Sequence, residues 1–351
     1  MAGEVAFGAI RWDGQYPNGS GQALATARAL SAEAYRGRAP LHTDTTGNLI
    51  EYKPTQETMD AEITAAATAS LKYWAFLKYE GSEYSDFFIA EDLYHSSSIK
   101  SQVKYCYISQ MFWMGTPANH SAWVSATVAK MSETNWMKVL GNRPLLYIYW
   151  SQEAYTSIFS SSLANVKIIL DDLRAACVSA GMGTPYIVVM HRGAPIAMSA
   201  MLPGIGANAV TDYIAQGLAY DNRAPYTALT TICQAFWATC AAALGGGTIG
   251  SVVPICMAGW DARPRIDRPV PWDPDKRPFI RHDRYINQPS NSELNAQMQA
   301  AKTYVMANPT VCPASIVLVY AWNEFDEGGW LAPTIGDPAG SRLAAIAATI
   351  S

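Results

Sequence analysis

The chain has 351 residues, 50% of them hydrophobic and 15% charged, and a formal net charge of −4 at neutral pH. That composition describes a compact globular protein with a sizeable core and excludes a disordered chain. With no Lys/Arg block there is no electrostatic footprint for nucleic acid, and no apolar stretch is expected to reach the ~18 residues that a membrane span needs.

The N-terminus, Met1-Ala2-Gly3-Glu4, has neither a basic n-region nor an apolar h-region, so no signal peptide is read there. A strand-like run at residues 5–10 follows at once, which suits a mature form or a domain of a longer extracellular, surface or virion protein; otherwise a cytoplasmic location is expected. Residues 11–56 are rich in Gly, Thr and Pro. Beyond them short apolar runs alternate with helical periods. Strands are expected at 73–79, 103–108, 145–149, 186–190, 209–214, 252–256 and 316–321. Helices are expected at 58–70, 86–96, 121–140, 157–180, 195–202, 226–244, 292–306 and 341–350. In the fourth helix Leu163, Val166, Leu170, Leu173 and Cys177 recur at three- and four-residue spacings as one apolar stripe, and Gly181 supplies the stop. Eight strand–helix alternations predict an α/β protein, a single (β/α)8 TIM barrel over 1–351, whose usual size of ~250 residues leaves room for long loops after strands 1 and 7. The second of these loops, residues 257–290, is rich in Pro, Arg and Asp. An open doubly wound sheet is the alternative, but the first strand leads into no Gly-rich turn. The glycines at 204, 206 and 245–247 precede strands, as connecting loops at the bottom of a barrel do.

Six cysteines, at 106, 177, 233, 240, 256 and 312, lie in or beside apolar segments without a C-x-x-C pair and are read as buried free thiols. The five histidines are dispersed, so no metal site and no cofactor are expected. The oligomeric state stays open.

In a barrel of this kind the chemistry lies at the C-terminal strand ends. The first strand leads to Trp12 and Asp13, the second to Tyr79, the third to Trp113 and the fourth to Trp150. His191 follows the fifth, the sixth contains Asp212 and Tyr213, and the seventh leads to Trp260, Asp261 and Arg265. Asn323, Glu324 and Glu327 follow the eighth, and Trp330 comes shortly after. Aromatic faces beside carboxylates, amides and arginines complement sugars, which present apolar C–H faces and a rim of hydroxyls. Several of these residues also have a structural reading. Trp113 and Trp150 can plug the barrel mouth, His191 can be a core histidine, and Asp261 and Arg265 can pair within their own loop. The two glutamates stand three residues apart after an apolar strand, a pattern suited to acid/base work on a glycosidic bond. No Ser-His-Asp order and no G-x-S-x-G elbow supports acyl transfer.

Trp322-Asn323-Glu324-Phe325-Asp326-Glu327-Gly328, continuing to Pro333, resembles the W-N-E-W-x-E-G-x-x-L-E-P pattern of glycoside hydrolase family 99-like proteins, a group that includes endo-α-mannosidases and WbsX-type proteins of polysaccharide loci. Gly259-Trp260-Asp261-Ala262-Arg263-Pro264-Arg265 is similar to their G-W-D-x-x-P-R element, and Asn142-Arg143-Pro144 with the following strand to their G-R-P-x-x-x-I-Y strand. The resemblance implies a retaining hydrolase of an α-linked polysaccharide or glycan. In it Glu324 is the base that helps the substrate's own 2-hydroxyl attack, and Glu327 is the general acid. Phe325 stands where the family has Trp and Ala332 where it has Glu, so contacts to the outer sugar are expected to differ; the W-x-W-F-N-G element after the second strand is absent, which bears on mannose specificity more than on the chemistry. Asp326 is read as a solvated bystander. Two other readings remain: a non-catalytic carbohydrate-binding domain of a surface or virion protein, and a glycosyltransferase of polysaccharide biosynthesis.

Overall fold

Short runs of β-branched and aromatic residues form nine parallel strands in a computed structural model that describes residues 4–16, 21–81, 84–190, 201–215, 223–272 and 285–351. They are β1 (Ala6–Arg11), β2 (Tyr73–Leu77), β3 (Lys104–Gln110), β4 (Arg143–Tyr149), β5 (Tyr186–Met190), β6 (Ala209–Thr211), β7 (Ser251–Val252), β8 (Ile255–Met257) and β9 (Ile316–Tyr320). The hydrogen-bonded order is β7-β6-β5-β4-β3-β2-β1-β9-β8, with a short antiparallel piece, Lys138–Val139, on β4. The sheet is strongly curled. Its two end strands, β7 and β8, are consecutive in the chain and joined by Val253 and Pro254. The Val253 amide donates to the Val210 carbonyl at 2.9 Å, while the Leu318 amide donates to the Pro254 carbonyl at 3.0 Å. Proline has no N–H to give a ladder, and the segment changes partner there.

Every residue of β5 and β9 is buried, as expected where helices cover a parallel sheet. On the concave side the hydroxyls of Tyr73 (β2) and Tyr147 (β4) meet at 2.8 Å across the intervening β3. Gly8 on β1 makes room for the Tyr73 ring: a Cβ there would fall 2.2 Å from a ring carbon.

The helices follow the periodicity. Those used below are α1 (Gly21–Leu30), α2 (Gln56–Thr68), α3 (Asp86–Ser96), α4 (Ser121–Met131), α5 (Leu163–Ser179), α6 (Tyr226–Leu244), α7 (Arg263–Asp267), α8 (Asn291–Ala307) and α9 (Ser341–Ile350), and further short helices lie at Glu33–Arg36 and Gln152–Ser157. Thr55 and Ser290 begin α2 and α8 with reciprocal capping boxes. Two expected helices are shorter than their periodicity suggests. The one expected at 121–140 stops at Met131, because the chain turns into Lys138–Val139, whose pairing with β4 satisfies its backbone better than another helical turn would. The one expected at 157–180 is split: Ser160 and Ser161 take positive φ, and Ser162 caps a fresh start at Leu163. The helix expected at 195–202 begins outside the described residues.

The absence of a span-length apolar stretch is also corrected. Tyr226–Leu244 has 19 residues and a mean hydropathy of 1.3 over its most apolar window, long and apolar enough to cross a bilayer by length and composition. Here one stripe of it, Tyr226, Leu229, Cys233, Trp237 and Cys240, lies buried, and the Trp237 indole donates to the Ile255 carbonyl at 3.0 Å. Burying one stripe in this way is how a helix covers a sheet. All six cysteines are free and buried. The segment after β1 is not featureless: it holds α1 and a hairpin, Thr43–Asp44 with Glu51–Tyr52.

Candidate active site

β9 ends at Tyr320, and the chain is tied across to β1 by the Trp322 amide, which donates to the Ile10 carbonyl at 2.7 Å. Asn323–Glu324 then pairs antiparallel with Gly329–Trp330, which leaves Phe325 to Gly328 as the turn. Two glycines allow this turn to sit against the loop after β8. Gly328 has φ +81°, and a Cβ on it would lie 2.5 Å from the Asp261 amide nitrogen; one on Gly259 would lie 2.3 Å from the Gly328 carbonyl oxygen. The Asp261 amide donates to the Glu327 carbonyl at 2.6 Å. The glycines of the two motifs thus serve one purpose, a backbone-to-backbone contact that holds α7 over the acidic turn.

That contact delivers Arg265 into the carboxylates. Its Nε and Nη2 donate to the two oxygens of Asp326 at 2.8 and 3.1 Å, and its Nη1 donates to Oε1 of Glu327. Oε2 of Glu327 accepts from the Tyr320 hydroxyl. Glu324 lies on the far side, its Oε2 3.8 Å from Arg265 Nη2 and its Oε1 accepting from the Tyr213 hydroxyl at 2.7 Å. Oε2 is buried and has no hydrogen-bond partner among the described residues. One guanidinium therefore faces three buried carboxyl groups. Burial opposes the charge on Arg265, but Asp326, Glu327 and Glu324 hold it firmly cationic. With one cation among three acids, a proton is favoured on the acid least supported. Burial first, and then the charge of Glu327, raise Glu324 well above the usual carboxylate range. Asp326 is no solvated bystander: it is fully buried and is the bidentate partner of Arg265.

Behind the pair lies a second polar layer. Asn323 Oδ1 accepts from the Trp12 amide at 2.8 Å, and its Nδ2 donates to Asp13 at 3.0 Å. Asp13 in turn accepts from Arg11 Nε at 2.9 Å, and Arg11 Nη1 donates to Glu62 of α2 at 2.6 Å. Glu62 also accepts from the Tyr52 hydroxyl at 2.9 Å and the Trp322 indole at 3.0 Å. Here too two carboxyls share one buried cation. Burial, with Glu62 adding to it against the pull of Arg11, pushes Asp13 up to about 7.

Above the carboxylates is a cavity of about 160 Å³ lined by Tyr79, Gln110, Tyr149, Tyr213 and Trp272 together with Glu324, Glu327 and Arg265. Its small size suits a single ring better than a length of chain. Tyr79 stacks on Phe87 at 4.0 Å, and Trp12 packs between Phe87 and Trp272 at 5.4 and 5.9 Å.

Of the residues singled out in the sequence, Glu324, Glu327, Arg265, Tyr79 and Tyr213 line this cavity, while Trp12, Asp13 and Asn323 support it from behind. Asp261 does not pair with Arg265. It binds Arg38 and Arg263, so it anchors its own loop to the segment after β1. Trp330 lies against the Arg342 guanidinium at 3.9 Å, Trp260 against Tyr320 at 6.0 Å, Trp150 against Tyr155 at 5.0 Å and Trp113 against Tyr84 at 5.8 Å. Asp212 is buried and accepts from the Tyr213 amide at 2.8 Å. His191 lies outside the described residues. Gln110, which follows the third strand beside Trp113, also lines the cavity, while Tyr149 and Trp272 were not among the candidates. Tyr149 sits at the end of β4, a position that marks it; Trp272 comes from a long loop whose path no local pattern reveals.

No family model matches the sequence, and no curated protein matches it either. Solved structures do match over the whole length. A glycoside hydrolase-like protein superposes with a TM-score of 0.65 at 13% identity, covering 100% of this chain and 95% of its own. A GH99 endo-α-mannosidase from Bacteroides thetaiotaomicron superposes with TM-scores of 0.54 in complex with BIS-TRIS-propane and 0.55 in a second structure. These two alignments have 13% and 10% identity and cover 98% of this chain, with 96% and 98% of the mannosidase. At such identities the likeness is one of fold.

Proposed function

We propose that this chain is a glycoside hydrolase of the family 99-like kind, a single-domain (β/α)8 barrel that cleaves an α-linked polysaccharide or glycan with retention. The observation that carries this reading is the Glu324/Glu327 pair at the end of β9. Both carboxyls line one ring-sized cavity with aromatic walls. The fold likeness to an endo-α-mannosidase and the N-E-x-x-E pattern support the same chemistry.

In this reading Glu324 draws the proton from the substrate's 2-hydroxyl, which attacks the anomeric carbon, while Glu327 protonates the leaving oxygen and then activates water. A carboxyl raised by burial is a better base near neutral pH than an ordinary one. The proton begins on the wrong partner, however: burial and the neighbouring charges favour it on Glu324, and Arg265 and Tyr320 both donate to Glu327. That arrangement supports a second reading with the roles exchanged. Leaving-group chemistry separates the two, because an acid is dispensable when the departing group needs no proton. Glu324→Gln and Glu327→Gln should each lower turnover of a natural glycan by orders of magnitude. The variant lacking the acid should recover on a glycosyl fluoride or nitrophenyl glycoside, and the other should not. Near-wild-type turnover of the glycan by either variant would overturn the assignment. Saturable glycan binding with no new reducing ends would favour a non-catalytic binding domain instead.

A further inference from the structure

A carboxylate keeps its aim either through hydrogen bonds to its oxygens or through the backbone that carries it. Glu327 has the first kind of support, from Arg265 and Tyr320. Glu324 has less. Among the described residues its carboxyl accepts one hydrogen bond, from the Tyr213 hydroxyl at 2.7 Å, and its Oε2 stands 3.8 Å from Arg265 Nη2. The aim of Glu324 therefore depends on the short strand Asn323–Glu324.

The side chain of Asn323 bolts that strand to the loop after β1. The Trp12 amide can only donate, so the end of Asn323 that meets it at 2.8 Å is the oxygen. The nitrogen end donates to Oδ1 of Asp13 at 3.0 Å. The same Oδ1 accepts from Arg11 Nε at 2.9 Å, and Arg11 and the Trp322 indole both donate to Glu62 of α2, at 2.6 and 3.0 Å. Asn323 and Asp13 are 2% and 3% exposed, and the described lining of the cavity includes neither. We propose, resting on the glycosidase reading, that Asp13 is a positioning residue: it does not meet the sugar, and it acts through Asn323, whose amide is a strut that aims Glu324 rather than a ligand for substrate.

The test measures kcat and KM of the full chain on whichever of yeast mannan, dextran and pullulan wild type cleaves fastest, and on the matching α-mannosyl or α-glucosyl fluoride. Losing the strut displaces Glu324 without touching a sugar contact. Asp13→Ala should lower kcat about 10- to 100-fold, the scale of a misplacement of about 1 Å, and leave KM within about twofold. Asp13→Asn keeps an Oδ1 for both donors, and burial already raises Asp13 to about 7, so the layer accommodates a neutral side chain there. Its kcat should stay within about threefold of wild type. Glu324→Gln and Glu327→Gln respond oppositely to an activated leaving group, and Asp13→Ala should follow Glu324→Gln, as a residue acting through Glu324 must. Asn323→Ala removes the strut from its other end while leaving the Arg11–Asp13 pair, and it carries the test if circular dichroism shows Asp13→Ala to be misfolded. Unchanged kcat in the folded variant, a KM raised about tenfold or more by Asn323→Ala, or a leaving-group response like that of Glu327→Gln would each overturn the proposal while the glycosidase reading stands. A wild type that cleaves none of the three polysaccharides removes that reading, and the positioning role of Asp13 falls with it.

Discussion

At the scale of single residues the site is governed by one guanidinium. Arg265 is almost fully buried and meets Asp326 with two parallel hydrogen bonds and Glu327 with a third, so its removal leaves at least two acids in low dielectric without their cation. Arg265→Ala and Asp326→Ala should each lower stability by about 3–5 kcal/mol, the range for breaking a buried pair. The double variant should cost clearly less than the sum, read from denaturant midpoints at constant m-value. Additive losses would mean that the pair is not coupled. Asp13 supplies a pH test. Its folded value of about 7 lies above that of an unfolded aspartate, so between roughly pH 4 and 7 the folded protein holds a proton that the unfolded chain has released. Stability from this group is therefore fully present below that window, falls as pH rises through it, and is level above. Asp13→Asn should lose less stability than wild type between pH 5 and pH 8, measured by chemical denaturation; identical slopes would contradict the assignment. The acidic cluster was legible at Glu324 and Glu327, where a strand ends in carboxylates. The role of Asp326 was not, because a charged residue in a turn reads as solvated until a distant arginine is brought to it.

Among the elements, local chemistry and tertiary demand divide the work. Ser290 and Glu293 close a capping box at the start of α8, and the helix begins one residue from where periodicity alone would start it. Ser290→Ala should cost about 1 kcal/mol, visible as a lower unfolding midpoint without any change in catalysis. Where prediction failed, a neighbour outbid propensity. Residues beyond Met131 have helical character, yet Lys138–Val139 pairs antiparallel with Arg143 and Pro144, and the Leu145 amide donates to the Met137 carbonyl at 2.9 Å. Ser160 and Ser161 interrupt a continuous period because two positive-φ residues let the chain turn before α5. α6 shows the limit of composition: a 19-residue helix apolar enough for a bilayer is placed here by an indole and a phenol that donate to carbonyls of Ile255 and Met257. The two motif glycines, Gly259 and Gly328, act between elements, setting the spacing of two loops at the strand ends.

For the whole molecule, the curled sheet depends on side chains from non-adjacent strands sharing its concave side. Gly8 leaves the space that the Tyr73 ring fills, and Tyr73 reaches Tyr147 across β3. Gly8→Ala should destabilise the protein by about 1–3 kcal/mol or more, the range for overpacking a close-packed interior, read as a lower thermal midpoint. An unchanged midpoint would mean that the ring moves aside freely. The alternation of strand with helix was open to reading from the sequence, because periods of two, of 3.6 and of unbroken apolar runs are local properties; the count of eight strands was not, since the run expected at 252–256 divides at Val253 and Pro254 into β7 and β8 with different partners. The acidic end of β9 was open to reading too, since a buried strand followed by carboxylates is a local conflict that needs a cause. What only the tertiary structure decided was which charges meet. Arg265 is 59 or more positions from each of the three acids it faces, Arg11 is 51 from Glu62, and Arg38 is 223 from Asp261. Pairing at such separations is set by loop path and packing, and a buried charge shows its partner only once the core has closed around both.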